Sequence, residues 1–202
     1  MKNKILYLLI FIILCVGFYF LGTTMSNKTP IRLSDTARLM EDGSSVKVFT
    51  GETKGRLGVE FVFTDNQNNI INTLSVENSN IAGPSYRIVK GDKHDWLVIT
   101  TIGKNGTGYI EYVDTWYMVT GWYGGIQKVL SYNSLVKEND TLSSKEITSD
   151  VMSNNVDDIL DVKFTTKICK PKDVCTTSSQ IDRYVRNVDK LDESKSGFIL
   201  KY

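Results

Sequence analysis

The residues that could do chemistry are few, and their settings argue against most of it. The single histidine, His94, lies in Lys90-Gly91-Asp92-Lys93-His94-Asp95. A Ser–His–Asp or Cys–His relay would have to be assembled around it. The segment reads as a polar turn ahead of a strand, which leaves the imidazole solvated. Carboxylates are plentiful, 23 in all, yet no pair stands in a setting suited to general acid–base work. Asp65-Asn66-Gln67-Asn68-Asn69 spaces oxygen side chains as calcium loops do, but lacks the glycine bend and closing glutamate of an EF-hand, so it reads as a hairpin turn. Gly103-Lys104-Asn105-Gly106-Thr107-Gly108 resembles a phosphate cradle in composition only. A phosphate loop opens a helix, whereas Tyr109-Ile110-Glu111-Tyr112-Val113 follows, a strand pattern with Asn105-Gly106 as its tight turn. The sequence therefore presents no catalytic residue, no metal-ligand set and no cofactor motif.

Cys169 and Cys175 bracket Lys170-Pro171-Lys172-Asp173-Val174 between two strand-like runs. With no histidine or third cysteine nearby they cannot complete a metal site, and the spacing is not that of a CxxC redox pair. In an oxidising compartment they would close a hairpin as a disulfide, a local staple contributing about 2–3 kcal/mol.

Aromatic side chains supply the most distinctive pattern. Tyr86, Trp96, Tyr109, Tyr112, Trp116, Tyr117, Trp122, Tyr123 and Tyr132 crowd between residues 85 and 135, and every tryptophan is among them. Neighbours on a strand point to opposite faces. Trp116 and Tyr117 therefore cannot share one face, and neither can Trp122 and Tyr123 if extended. Either one ring of each pair is left to contact a sugar, peptide or protein, or both faces are covered and all are core. Gly121, Gly124 and Gly125 around Trp122 suggest a bent corner, so Trp122 and Tyr123 are the better contact candidates.

These residues must be positioned by what precedes and surrounds them. Ile5 to Gly22 runs 18 residues without a charge, after Lys2 and Lys4 and before Lys28. As a helix it would span about 27 Å, near the ~30 Å of a hydrocarbon core. Basic residues on the short N-terminal side place that side in the cytoplasm and residues 28 onward outside. A cleaved signal peptide has a shorter apolar run and a small-residue cleavage site. Here the best cut follows Ser26, with Thr24 at −3, and the mature chain would be secreted. Length and the poor site favour a retained signal anchor. Cys15 follows Leu14 and has further apolar residues after it, unlike a lipidated cysteine.

The remainder reads as an exported, mainly β domain: an antiparallel, sandwich-like sheet structure with one or two short helices, behind a single transmembrane helix. The divisions are a cytoplasmic 1–4, an anchor over 5–22, a tether over 23–30, an aromatic-rich β region over 31–133, a polar linker or insertion over 134–156, and C-terminal strands over 157–202. Ser34-Asp35-Thr36-Ala37-Arg38-Leu39-Met40 has a helix N-cap and a Leu33/Ala37/Met40 face. Ser143-Ser144-Lys145-Glu146 has capping-box form before Ile147 and Val151. The strand candidates are Val46–Thr50, Leu57–Thr64, Ile70–Val76, Tyr86–Lys90, Trp96–Ile102, Gly108–Val113, Thr115–Thr120, Lys128–Tyr132, Ile159–Ile168, Ile181–Val188 and Phe198–Tyr202. The C-terminal strands either complete the same domain or form a small second one.

A formal net charge of +1, with Lys and Asp alternating along the chain, argues against a nucleic-acid partner. The expectation is a non-catalytic binding module, tethered to the membrane through residues 5–22 and contacting an envelope protein, a peptide or a cell-wall glycan. The alternatives are an accessory subunit of an envelope complex and a hydrolase with an unrecognised carboxylate site. The Ile/Lys/Asn-rich usage is of a bacterial kind, so the glycosylation sequons at Asn105 and Asn139 carry little weight.

Overall fold

The computed structural model describes residues 32–40, 42–53, 58–77, 83–119, 125–152, 156–171, 174–187 and 197–201. The anchor and the Trp122–Tyr123 corner lie outside these. Residues 32–202 form one compact unit.

Among the described residues twelve strands make two antiparallel sheets. The first is a four-stranded meander of β1 (Arg32–Ala37), β2 (Val46–Glu52), β3 (Gly58–Thr64) and β4 (Ile70–Glu77). The second takes the remaining eight in chain order: β5 (Ser85–Lys90), β6 (Asp95–Gly106), β7 (Tyr109–Val119), β8 (Ile126–Asn139), β9 (Ser144–Val151), β10 (Ile159–Lys170), β11 (Val174–Asn187) and β12 (Gly197–Lys201). Within each sheet every named strand pairs with its chain neighbour, the pattern that short turns between strands impose.

The arrangement follows from the alternation in β6 and β7. Trp96 and Val98 point to one face with Trp116 and Met118; Leu97 and Ile99 point to the other with Tyr117 and Val119. All five residues of Asp95–Ile99 are buried. A strand can be buried throughout only if both faces of its sheet are covered. On one face the four-stranded sheet brings Val46, Val48, Phe61 and Phe63, with Ala37 and Leu39, against Leu97, Ile99 and Val119. On the other, the large sheet closes over itself, so that Leu160 and Val162 of β10 and Phe198 of β12 reach Trp96 and Trp116.

That closure needs a bend, and β8 supplies it. Its register against β7 slips twice, leaving Val129 and Ser134 unpaired. Such bulges bend a strand and increase its twist. At the first bulge the returning β12 touches β8: a Cβ on Gly197 would stand 2.9 Å from the Val129 carbonyl oxygen, so only glycine allows this approach.

Neither expected helix forms, and among the described residues there is none. Over 32–40 the chain is β1 and its extension, with Ala37 and Leu39 buried two apart. Ser34, the expected N-cap, is instead the unpaired residue of a bulge against β2, and its hydroxyl bonds the Tyr86 hydroxyl at 2.7 Å. The backbone after Ala37 is held extended by hydrogen bonds from Asp95 N to the Arg38 carbonyl and from Val119 N to the Leu39 carbonyl. Residues 134–156, expected to be a polar linker, hold the end of β8 and all of β9. Strand β9 pairs on both edges, with β8 and β10. Its Lys145 and Glu146 reach Glu138 and Lys137 on opposite faces, an alternation that only an extended chain provides. The two runs Gly108–Val113 and Thr115–Thr120 are one strand, β7. The β6–β7 hairpin turn falls at Thr107-Gly108 rather than at Asn105-Gly106, with Gly108 at φ 74°.

The two cores are independent packing sites, so a truncation in either carries its own cost. Phe61→Ala and Trp116→Ala are each expected to lower stability by about 3–5 kcal/mol, read as a shift of the urea midpoint. A change below 1 kcal/mol for Trp116→Ala would mean that the core around Trp96 and Trp116 is not packed as described.

Candidate interaction surface

The aromatic cluster is largely consumed by packing. Trp116 is 0% exposed and stands 6.4 Å from Trp96, centroid to centroid. Trp96 in turn lies 5.3 Å from Phe198 and under the Arg186 guanidinium at 5.6 Å. Tyr117, on the opposite face, packs against the second core, and burial pushes its phenol pKa up. Tyr132 packs edge-on to Phe164, and burial pushes its phenol up to about 12. Tyr86 meets Phe61 edge-on at 5.1 Å. Of the four contact candidates, then, Trp116 and Tyr117 are core residues on the two faces of β7, while Trp122 and Tyr123 lie outside the described residues.

The titratable groups that sequence reading left open are structural. His94 is half-buried rather than solvated: its Nδ1 lies 3.2 Å from the Met40 carbonyl and its ring meets Trp96 edge-on. Buried Asp157 accepts from the backbone N–H groups of Lys93 and His94 at 2.6 and 2.9 Å, pinning the β5–β6 turn to the loop before β10. Buried Asp95 accepts from the Arg38 backbone N–H at 2.9 Å, the Arg38 guanidinium at 3.1 Å and the Lys90 ammonium at 3.3 Å. Arg38 also donates to the carbonyls of Gly91 and Asp92. Buried Asp114 accepts from Thr100 Oγ1 and from Arg87 at 2.7 and 2.6 Å. Asp65 closes its own turn, accepting from the Gln67 and Asn69 backbones and from the Asn69 side chain, and Lys47 donates to Asn68. Among the described residues no group of three His, Cys, Asp or Glu side chains is placed to hold a metal ion.

What the fold leaves open is the far half of the large sheet. From Thr100 to Val113, from Ser144 to Asp150 and from Phe164 to Gln180, no described residue is buried. The β8–β9 hairpin shows why. Lys137–Glu146 (2.8 Å) lies on one face and Glu138–Lys145 (3.6 Å) on the other, so water must reach both faces. The Asp161–Arg183 pair, doubly bonded at 2.8 Å, continues the charged surface onto β10 and β11. At the end of this layer Cys169 and Cys175 face each other across β10 and β11 and form the expected disulfide, with Cα atoms 4.0 Å apart. It ties a hairpin with little core beneath it.

Strand β12 pairs only with Arg183–Asn187, and no described strand pairs with the outer edge of Val174–Asp182. Val174 and Ile181 are 60% and 57% exposed there. The expected strand Ile181–Val188 covers only the second half of β11, and the edge itself depends on where β12 stops. No family model, curated protein or solved structure matches the chain.

The Asp95 cluster yields a pH signature. Burial alone would raise the Asp95 pKa, but the Arg38 backbone N–H, the Arg38 guanidinium and Lys90 together hold it below the ordinary carboxylate value. A folded pKa below the unfolded one stabilises the fold above the unfolded pKa of about 3.9, and the gain disappears as pH falls through the folded value. Asp95→Asn is therefore expected to cost roughly 1–3 kcal/mol at pH 7, with the gap to wild type narrowing below about pH 4. A gap that is the same at pH 7 and pH 3 would remove the ionised carboxylate from this account.

Proposed function

We propose that the chain is a non-catalytic interaction module, tethered to a membrane by residues 5–22 with residues 32–202 on the extracytoplasmic side, and that it acts through the open half of its large sheet. One observation carries the reading. The two cores absorb Trp96, Trp116, Tyr117 and Tyr132 of the aromatic cluster, while β8–β11 extend into solvent on both faces and finish in an edge with which no described strand pairs. A sheet edge presents a row of N–H and C=O groups that a second strand can satisfy. The disulfide fits the same purpose, because an exposed ribbon with no core needs a covalent tie to stay paired. This reading joins the binding-module and envelope-subunit expectations and moves the contact from the aromatic pairs to the strand edge.

The test compares the wild-type full-length chain with Thr177→Lys/Ser179→Lys in native membranes. Both positions are exposed, so the double variant should melt within a few degrees of wild type. A cross-linker placed on β11 should yield a discrete adduct with the wild-type chain that the variant loses. An adduct pattern unchanged by the two lysines would place the contact elsewhere.

A further inference from the structure

We infer that the occupant of the open β11 edge is β11 of a second copy of this chain, paired antiparallel about a two-fold axis through Ser178. The inference rests on the interaction-module reading above and names its partner.

Three observations lead to it. The first is that the edge is undefended. Natural edge strands are blunted by lysine, proline or a bulge. Val174-Cys175-Thr176-Thr177-Ser178-Ser179-Gln180-Ile181-Asp182 contains neither lysine nor proline, and its register against β10 runs without a slip from Val174 to Val185. The described lysines of this hairpin stand one strand inward, as Lys163, Lys167 and Lys170 of β10, away from the row of backbone groups that an incoming edge strand would meet.

The second concerns length. Strand β12 stops pairing at Arg183, which leaves nine residues, about 30 Å of strand, as the continuous edge. An isologous contact uses the same patch twice and closes on itself. A two-fold axis perpendicular to a sheet brings residues of equal parity opposite one another. With the axis at Ser178, Thr177 meets Ser179, Thr176 meets Gln180, and Cys175 meets Ile181 of the other copy. These are hydroxyl, amide and apolar pairs, the kinds that stabilise neighbouring strands, with no like charges opposed. Exposed Ile181 gains an apolar neighbour. Shifting the axis toward β12 would run the incoming strand into β12 itself, and shifting it toward Val174 would shorten the stretch that pairs, so the longest pairing of Val174–Asp182 with itself is centred on Ser178.

The third argues against a foreign extended peptide. Peptides that add to a sheet edge gain specificity from pockets for alternate side chains. Every residue from Val174 to Ile181 is exposed, and the adjacent β10 positions Lys167, Ile168 and Lys170 are exposed too, so no buried position of β10 or β11 walls a groove beside the edge among the described residues. A second copy needs no pocket, since it brings a whole sheet of matching twist.

The experiment uses the purified full-length chain in detergent, followed by sedimentation equilibrium over a concentration series. The wild type should show a concentration-dependent monomer–dimer equilibrium. Ser178→Lys and Ser178→Glu each oppose like charges at the axis and should weaken dimerisation at least tenfold. Mixed one to one, they should recover a heterodimer. Thr73→Lys, on exposed β4 of the other sheet, should dimerise as wild type does, and circular dichroism should be unchanged in all variants. A wild type that is monomeric throughout, variants that dimerise like wild type, or a mixture that stays monomeric would each overturn self-pairing. If self-pairing fails while a photo-cross-linker at position 178 captures a different protein in the native membrane, the interaction reading survives without it. If neither a dimer nor an adduct forms, both readings fail.

Discussion

The structure depends on β6 and β7 being covered on both faces at once. Alternation sends Trp96, Val98, Trp116 and Met118 one way and Leu97, Ile99, Tyr117 and Val119 the other, and each set must be removed from water. Burying a large apolar side chain gains about 1.5–3 kcal/mol, so neither face can be left open without losing several such terms. The chain meets this demand asymmetrically. A separate four-stranded meander covers one face, while the sheet's own later strands, turned by the bulges in β8, cover the other. That second solution requires the close approach at Gly197, and it fixes where β12 lies and where it ends.

Buried carboxylates hold the layers in register. Asp95 joins β6 to the extension of β1, Asp157 joins the β5–β6 turn to the loop before β10, and Asp114 joins β7 to β5 and β6. Each sits where an unpaired charge would be costly, and each has hydrogen-bond donors in place. The cations on Asp95 and Asp114 are partly exposed heads reaching in from the rim, so their Coulombic share is screened by salt. The backbone donors matter more, because they carry positional information between segments distant in sequence. A sequence reader sees these acids as ordinary surface residues. Their role appears only when Arg38 and Asp95, or His94 and Asp157, are brought together by folding.

Legibility in the sequence tracked the range of the interactions involved. From Val46 onward, the strands apart from β9 and the first half of β11 were readable from β-branched and aromatic runs, and the disulfide from six-residue spacing between two strand-like runs. These are local signals. The helix expectation over Ser34–Met40 rested on a genuine local cap, but pairing with β2 and the hydrogen bonds of Arg38 and Leu39 to the other sheet overrode it. The stretch 134–156 misled for the opposite reason: β8 and β9 extend past the core, so their outward positions are polar on both faces and lack the alternation that marks a half-buried strand. The aromatic pairs were correctly placed on opposite faces at Trp116 and Tyr117. What no local pattern could supply was that both faces there would be covered, and that the outer edge of β11 would be left without a described partner along Val174–Asp182.

Hydrogen exchange resolved by residue tests this division between a doubly covered centre and an uncovered far half most directly. Amides of Asp95–Ile99 and Asp114–Val119 are expected to exchange only through global unfolding, while those of Thr165–Lys170 and Val174–Gln180 exchange through local opening, orders of magnitude faster at high dilution. Equal protection in the two regions, or slower exchange in β10 and β11 than in β6 and β7, would contradict the account.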